Sequence, residues 1–146
     1  MSVEFDLAEA MAAAAMAPAV PFALPITALV TTQADVSLEG LKDVAVWIRP
    51  DSNTRKQVTL DYGDSAIENT VLVNVVVGRN LEKGDDEEVK AMHELTESIL
   101  LAISSGVDSQ DYDWLETDAV SLWDIDGPGK LLFWAERVMT FRAMSG

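Results

Sequence analysis

Residues 56–77, KQVTLDYGDSAIENTVLVNVVV, and 85–106, DDEEVKAMHELTESILLAISSG, decide the fold. In the first stretch Val58, Leu60 and Tyr62 alternate with Thr59 and Asp61, the period of a strand with one wet face. Gly63, Asp64 and Ser65 interrupt it, and Val71, Val73, Val75 and Val77 then line one side of a second run, with Leu72 and Asn74 on the other. The short polar connection predicts an antiparallel hairpin in which Thr70 to Val77 is a central strand. In the second stretch the period changes to that of a helix. Asp85 is placed to accept from the first free amides, and Glu88 follows at the spacing of a capping box. Val89, Met92, Leu95, Thr96, Ile99, Leu100 and Ile103 form the apolar face, and Gly106 is the expected left-handed terminator. About six large side chains leave water along this helix, each contributing on the order of 1.5–3 kcal/mol.

Working outward, Ser2 can cap a helix to about Met16, with Val3, Leu7, Ala10, Met11 and Ala14 on one narrow face of small residues. Pro18, Pro21 and Pro25 force an extended segment and interrupt the longest apolar run, so no window is long enough to span a bilayer. Glu4, Asp6 and Glu9 stand where a signal peptide needs positive charge. A strand is expected at Ile26 to Thr31, a helical turn at Ser37 to Leu41, and a second strand at Val44 to Ile48 that stops at Pro50. Asp51, Ser52 and Asn53 read as a turn.

After Gly106 the composition shifts. Residues 107–129 hold Asp108, Asp111, Asp113, Glu116, Asp118, Asp124 and Asp126, no Lys or Arg, and the aromatics Tyr112, Trp114 and Trp123. The reading is an acidic loop or arm containing a short strand at Ala119 to Asp124, a turn at Asp126 to Gly129, and a terminal strand within 130–146. In that last strand Leu131, Phe133, Met139 and Phe141 share one phase, Trp134 and Val138 the other. The 146 residues thus read as one α+β domain: an antiparallel or mixed sheet of four to five strands, with two main helices packed on one face.

Composition narrows the function. A formal charge of −15, with ten Lys and Arg scattered along the chain, opposes direct nucleic-acid binding. The absence of Cys removes disulfides, thiol nucleophiles and thiolate metal sites. His93 is the only histidine and lies on the long helix one turn from Glu97, with no nucleophile at a recognisable spacing, so a solvated or rim position is expected. Asp124-Ile125-Asp126-Gly127 imitates the opening of a calcium loop, but Pro128 and the missing terminal glutamate make it a turn. No catalytic, cofactor or metal residues are assigned. Trp47, Trp114, Trp123 and Trp134 read either as core or as anchors of a subunit interface, since aromatic anchors dominate interface energetics. Asp108, Asp111, Asp113, Glu116 and Asp118 read as a solvated acidic surface available to line a channel or an interface.

In element order the chain resembles the tail terminator and neck proteins of long-tailed bacteriophages. The likeness is carried by the helix Val3 to Met16, the strand Val44-Ala45-Val46-Trp47-Ile48-Arg49-Pro50, the strand Val71 to Val77 closing in Gly78-Arg79-Asn80-Leu81, the helix Glu88 to Ile103 and the terminal Leu132-Phe133-Trp134-Ala135-Glu136-Arg137. It spans nearly the whole chain as an order of elements. The resemblance implies a non-enzymatic virion subunit without cofactors, assembled in the host cytoplasm into a hexameric ring. That ring would cap the tail tube, join it to the head-proximal neck or stopper protein, and pass DNA through its channel without specific binding or membrane contact. Head-tail adaptor and tail tube subunit are the alternatives in the same virion. A small bacterial ligand-binding or regulatory domain and a hydrolase using Asp and His93 are those of other classes.

Overall fold

The computed structural model describes residues 3–17, 22, 24–31, 44–59, 63, 65–81, 85–108, 112–125 and 132–145. The elements run α1 (Val3–Met16), β1 (Ile26–Val30), β2 (Val44–Thr59), β3 (Ser65–Asn80), α2 (Asp86–Val107), β4 (Tyr112–Ile125) and β5 (Leu132–Ser145). The strands form one sheet in the order β1-β2-β3-β5-β4. Only β1 and β2 are parallel; the other neighbours are antiparallel. The fold is therefore α+β, a mixed five-stranded sheet with two helices packed on it, as the sequence implies.

Alternation along the strands builds the core. Val44, Val46 and Ile48 of β2, Val71, Val73, Val75 and Val77 of β3, and Phe133, Ala135, Met139 and Phe141 of β5 share the face beneath the helices and are buried there. Leu7 and Met11 of α1 and Met92, Ile99 and Ile103 of α2 close that core from above. Asp85 caps α2 as its sequence predicts, its carboxylate accepting from the Glu88 amide at 2.9 Å. Thr96 is fully buried in the apolar face, and its hydroxyl donates to the Met92 carbonyl at 2.8 Å, so this polar group is not stranded.

Three expectations need correction. Pro50 does not end the second strand: β2 continues to Thr59, and the register shift between Pro50 and Ser52 absorbs the residues that read as a turn. Gly106 does not terminate α2 in the left-handed region. The helix runs on to Val107, and the Asp108 amide donates to the Ser104 carbonyl. Gly106 answers a packing demand instead, because a Cβ there would sit 2.8 Å from the Ala14 Cβ of α1. Ala14 of α1 answers the same demand, its small side chain letting the two helices approach closely at Gly106. Third, the segment after α2 is a 14-residue strand rather than a loop with a short strand. Glu97, one turn from His93 on α2, pairs with Arg137 of β5 at 2.9 Å. The expected turns at 37–41 and 126–129 and the calcium-like Asp126 lie outside the described residues.

Candidate functional site

The sheet has two unlike faces. Opposite the helices, cross-strand rows run Ala45, Gly78, Trp134; then Trp47, Val76, Glu136; then Arg49, Asn74, Val138, Asp118; then Ser52, Leu72, Thr140, Glu116. Trp47 and Trp134 occupy neighbouring rows and stack with ring centroids 6.3 Å apart. Trp47 is 7% exposed, so it serves packing within its own chain. Gly78 stands between Ala45 and Trp134 in its row.

Acidic residues of β4 belong to this same face. Asp113, Glu116 and Asp118 pair in register with Arg142, Thr140 and Val138, all on the helix-free side of β5. Strict alternation would not achieve this, since the interval from Asp113 to Glu116 is odd. A register shift between Trp114 and Glu116 inserts the extra residue that keeps the carboxylates in phase. Two further shifts, between Ala119 and Ser121 and between Ser121 and Asp124, bring Asp124 to the register position opposite Trp134. Asp113 accepts from Arg142 at 2.6 Å, and that hydrogen bond, with the charge of the carboxylate, raises the guanidinium pKa above its ordinary value. Both partners are exposed, so the pair adds little to stability. Asp108 follows the last turn of α2 and accepts from the Trp114 amide at 3.4 Å. Asp111 lies outside the described residues, as does the side chain of Trp123.

On the helix side, Trp114 stands at the sheet margin, 42% exposed, its indole donating to the Thr117 hydroxyl at 2.9 Å. Between α2 and β4 lies a cleft of about 450 Å³ walled by Trp114, Leu100, Leu101 and Thr117. Leu101 is 67% exposed, and Leu115, next to Trp114 in the chain, 46%. At the base of the cleft Arg137 is 3% exposed and donates to Glu97 at 2.9 Å and to the Glu136 carbonyl at 3.2 Å. The sequence carries a signal for it: Arg137 occupies the apolar phase of β5, between Ala135 and Met139, where a charge must be paired. A second, apolar groove of about 700 Å³ separates α1 from α2, lined by Ala10, Ala13, Ala14, Phe22, Leu101 and Ala102 among others.

His93 is half-buried, and its Nδ1 lacks a hydrogen-bond partner among the described residues. Among those residues there is no group of three or more His, Asp or Glu able to hold a metal ion, and no helix is long and apolar enough to cross a membrane. What stands out is lateral. β4 is one margin of the sheet, and β1 covers β2 only as far as Ile48, so Arg49 onward forms the other margin among the described residues. No family model and no curated protein matches the chain.

Proposed function

We propose that this chain is a structural subunit of a bacteriophage virion, the tail terminator. It would form a hexameric ring that caps the tail tube and meets the head-proximal neck or stopper protein. The observation that carries the reading is the patch at one margin of the sheet, where the exposed Trp114 and Leu101 wall one cleft with Arg137 at its base. Exposed Trp and Leu around a desolvated Arg have the composition of a protein interface. The order of helices and strands supports the resemblance to terminator and neck proteins. A net charge of −15 suits a ring that passes DNA, because it repels phosphates and gives passing DNA no counterion-release binding. Head-tail adaptor and tail tube subunit are the neighbouring roles within the same class.

Size-exclusion chromatography with light scattering, followed by negative-stain imaging with and without purified tail tubes, tests the proposal. Closed rings, alone or on tube ends, are expected. A species that stays monomeric at high concentration and ignores tube ends would sink it. A second reading, a small ligand-binding domain, draws on the apolar groove between α1 and α2. It requires an apolar ligand that raises the melting temperature with concentration.

A further inference from the structure

We propose that the two unpaired margins of the sheet are the two halves of one contact, the outer part of β2 in one copy docking against β4 of the next. The inference rests on the ring reading above and names the surfaces that close the ring.

Past Ile48, no strand lies on the β1 side of β2 among the described residues, and its outer amides and carbonyls there have no strand partner among those residues. An open edge invites pairing with another chain unless it is guarded or used. This stretch, Arg49 to Thr59, carries Arg49, Arg55 and Lys56 against the single carboxylate Asp51. No ion pair among the described residues engages those three cations. Lys56 faces Glu68 across the ladder, but Arg49 and Arg55 face Asn74 and Asn69. The opposite margin, β4, carries Asp113, Glu116, Asp118 and Asp124 and no cation in its sequence. Asp113 is held by Arg142, whereas Glu116 and Asp118 are exposed and in no ion pair among the described residues.

Position reinforces charge. Arg49 and Asp118 are the two ends of one cross-strand row, through Asn74 and Val138, on the helix-free face. Copies set side by side in the plane of the sheet therefore bring a cation to a carboxylate at the same level. A cyclic ring needs two unlike patches on each subunit, and these margins are unlike in sign and lie on opposite sides. The same arrangement disfavours wrong pairings. Two β4 margins repel each other, and so do two β2 margins, which argues against a two-fold dimer. A subunit carrying −15 overall resists indiscriminate association, so a local cationic edge selects the orientation of approach.

Charge reversal tests this on the full chain. The first variant carries Arg49→Glu and Arg55→Glu; the second carries Glu116→Lys and Asp118→Lys. Each alone is expected to weaken ring closure by roughly tenfold or more, because like charges then meet at the contact. Mixed in equal amounts they restore it, since in an alternating ring the reversed β2 margin of one variant meets only the reversed β4 margin of the other, and the remaining contacts keep their native charges. Rescue in the mixture also establishes that both variants fold. Rings from either variant at wild-type concentration would overturn this contact and leave the ring reading intact. Loss in both variants without rescue in the mixture would also overturn the pairing. A wild-type chain that never forms rings, alone or on tails, removes the ring reading and this contact with it.

Discussion

The inner and outer halves of the β2–β3 ribbon share one backbone ladder and differ in almost everything else. In the inner half Val46 faces Val77 and Ile48 faces Val75, and all four are fully buried beneath α1 and α2. In the outer half Ser52, Thr54, Arg55, Lys56, Gln57 and Thr59 are exposed, although the same hydrogen-bonded register continues to Ser65. Cross-strand hydrogen bonds therefore do not decide where the core is. The reach of the helices does: beyond Val71 and Phe141 the same phase holds the buried Asn69, the small Ala143 and the exposed Ile67 in place of large buried side chains. The outer half is held by one buried polar side chain, Asn69, which accepts from Asn53 at 3.1 Å and donates to the Ala143 carbonyl at 3.3 Å.

Substitutions along this ribbon sharpen the contrast. Ile48→Ala, in the inner half, is expected to cost about 2–5 kcal/mol in urea unfolding, since it removes a fully buried side chain from a core that relaxes only partly. A loss below about 1 kcal/mol would mean the inner half is not the core. Asn69→Ala in the outer half is expected to cost roughly 1–3 kcal/mol, because the Asn53 amide and the Ala143 carbonyl lose their bridge. Amide exchange of the outer β3 and β5 residues should accelerate, while that of Val73 and Val75 stays slow. Gln57→Ala, exposed on the same strand, is expected to stay within about 0.5 kcal/mol of wild type. A larger effect there would show the outer half contributing to the subunit's own stability.

A fourth test concerns the helix pair. Gly106→Ala gains helix propensity of roughly 0.8–1 kcal/mol. It also drives a methyl to 2.8 Å from Ala14, and overpacking of this kind costs about 1–3 kcal/mol. A lower melting temperature is expected, recovered when Ala14→Gly is added; no recovery would place the strain elsewhere.

The contrast also explains what is legible in the sequence. α2 is readable to its first residue because cap, acidic first turn and apolar period agree. The β2–β3 hairpin is readable because its valines alternate. The continuity of β2 is not, because Pro50, Asp51 and Asn53 carry turn chemistry that a bulge can absorb. β4 reads as a loop because its acids and aromatics break simple alternation, an irregularity that only its register with β5 resolves. The Gly106 signal is real and its meaning ambiguous, since a helix terminus and a close helix crossing both select glycine. Of the tryptophans read as core or as interface anchors, Trp114 is exposed and Trp47 packs within its own chain. The margin cations Arg49 and Arg55 are invisible as a surface from sequence alone, because recognising them requires knowing that β1 stops short of them, beside Ile48.

The irregular register of β4 has a consequence for how this chain tolerates length changes. Each extra residue acts as a frame correction, so Leu115 is the spacer that returns Glu116 and Asp118 to the side of Asp113. Substituting Leu115 leaves that frame untouched, whereas deleting it makes the strand choose between turning its carboxylates toward Arg137 and the core or surrendering its pairing with β5. For this strand one lost residue weighs more than several exchanged ones, and its evolution should be punctuated by compensated insertions and deletions rather than by free drift in length.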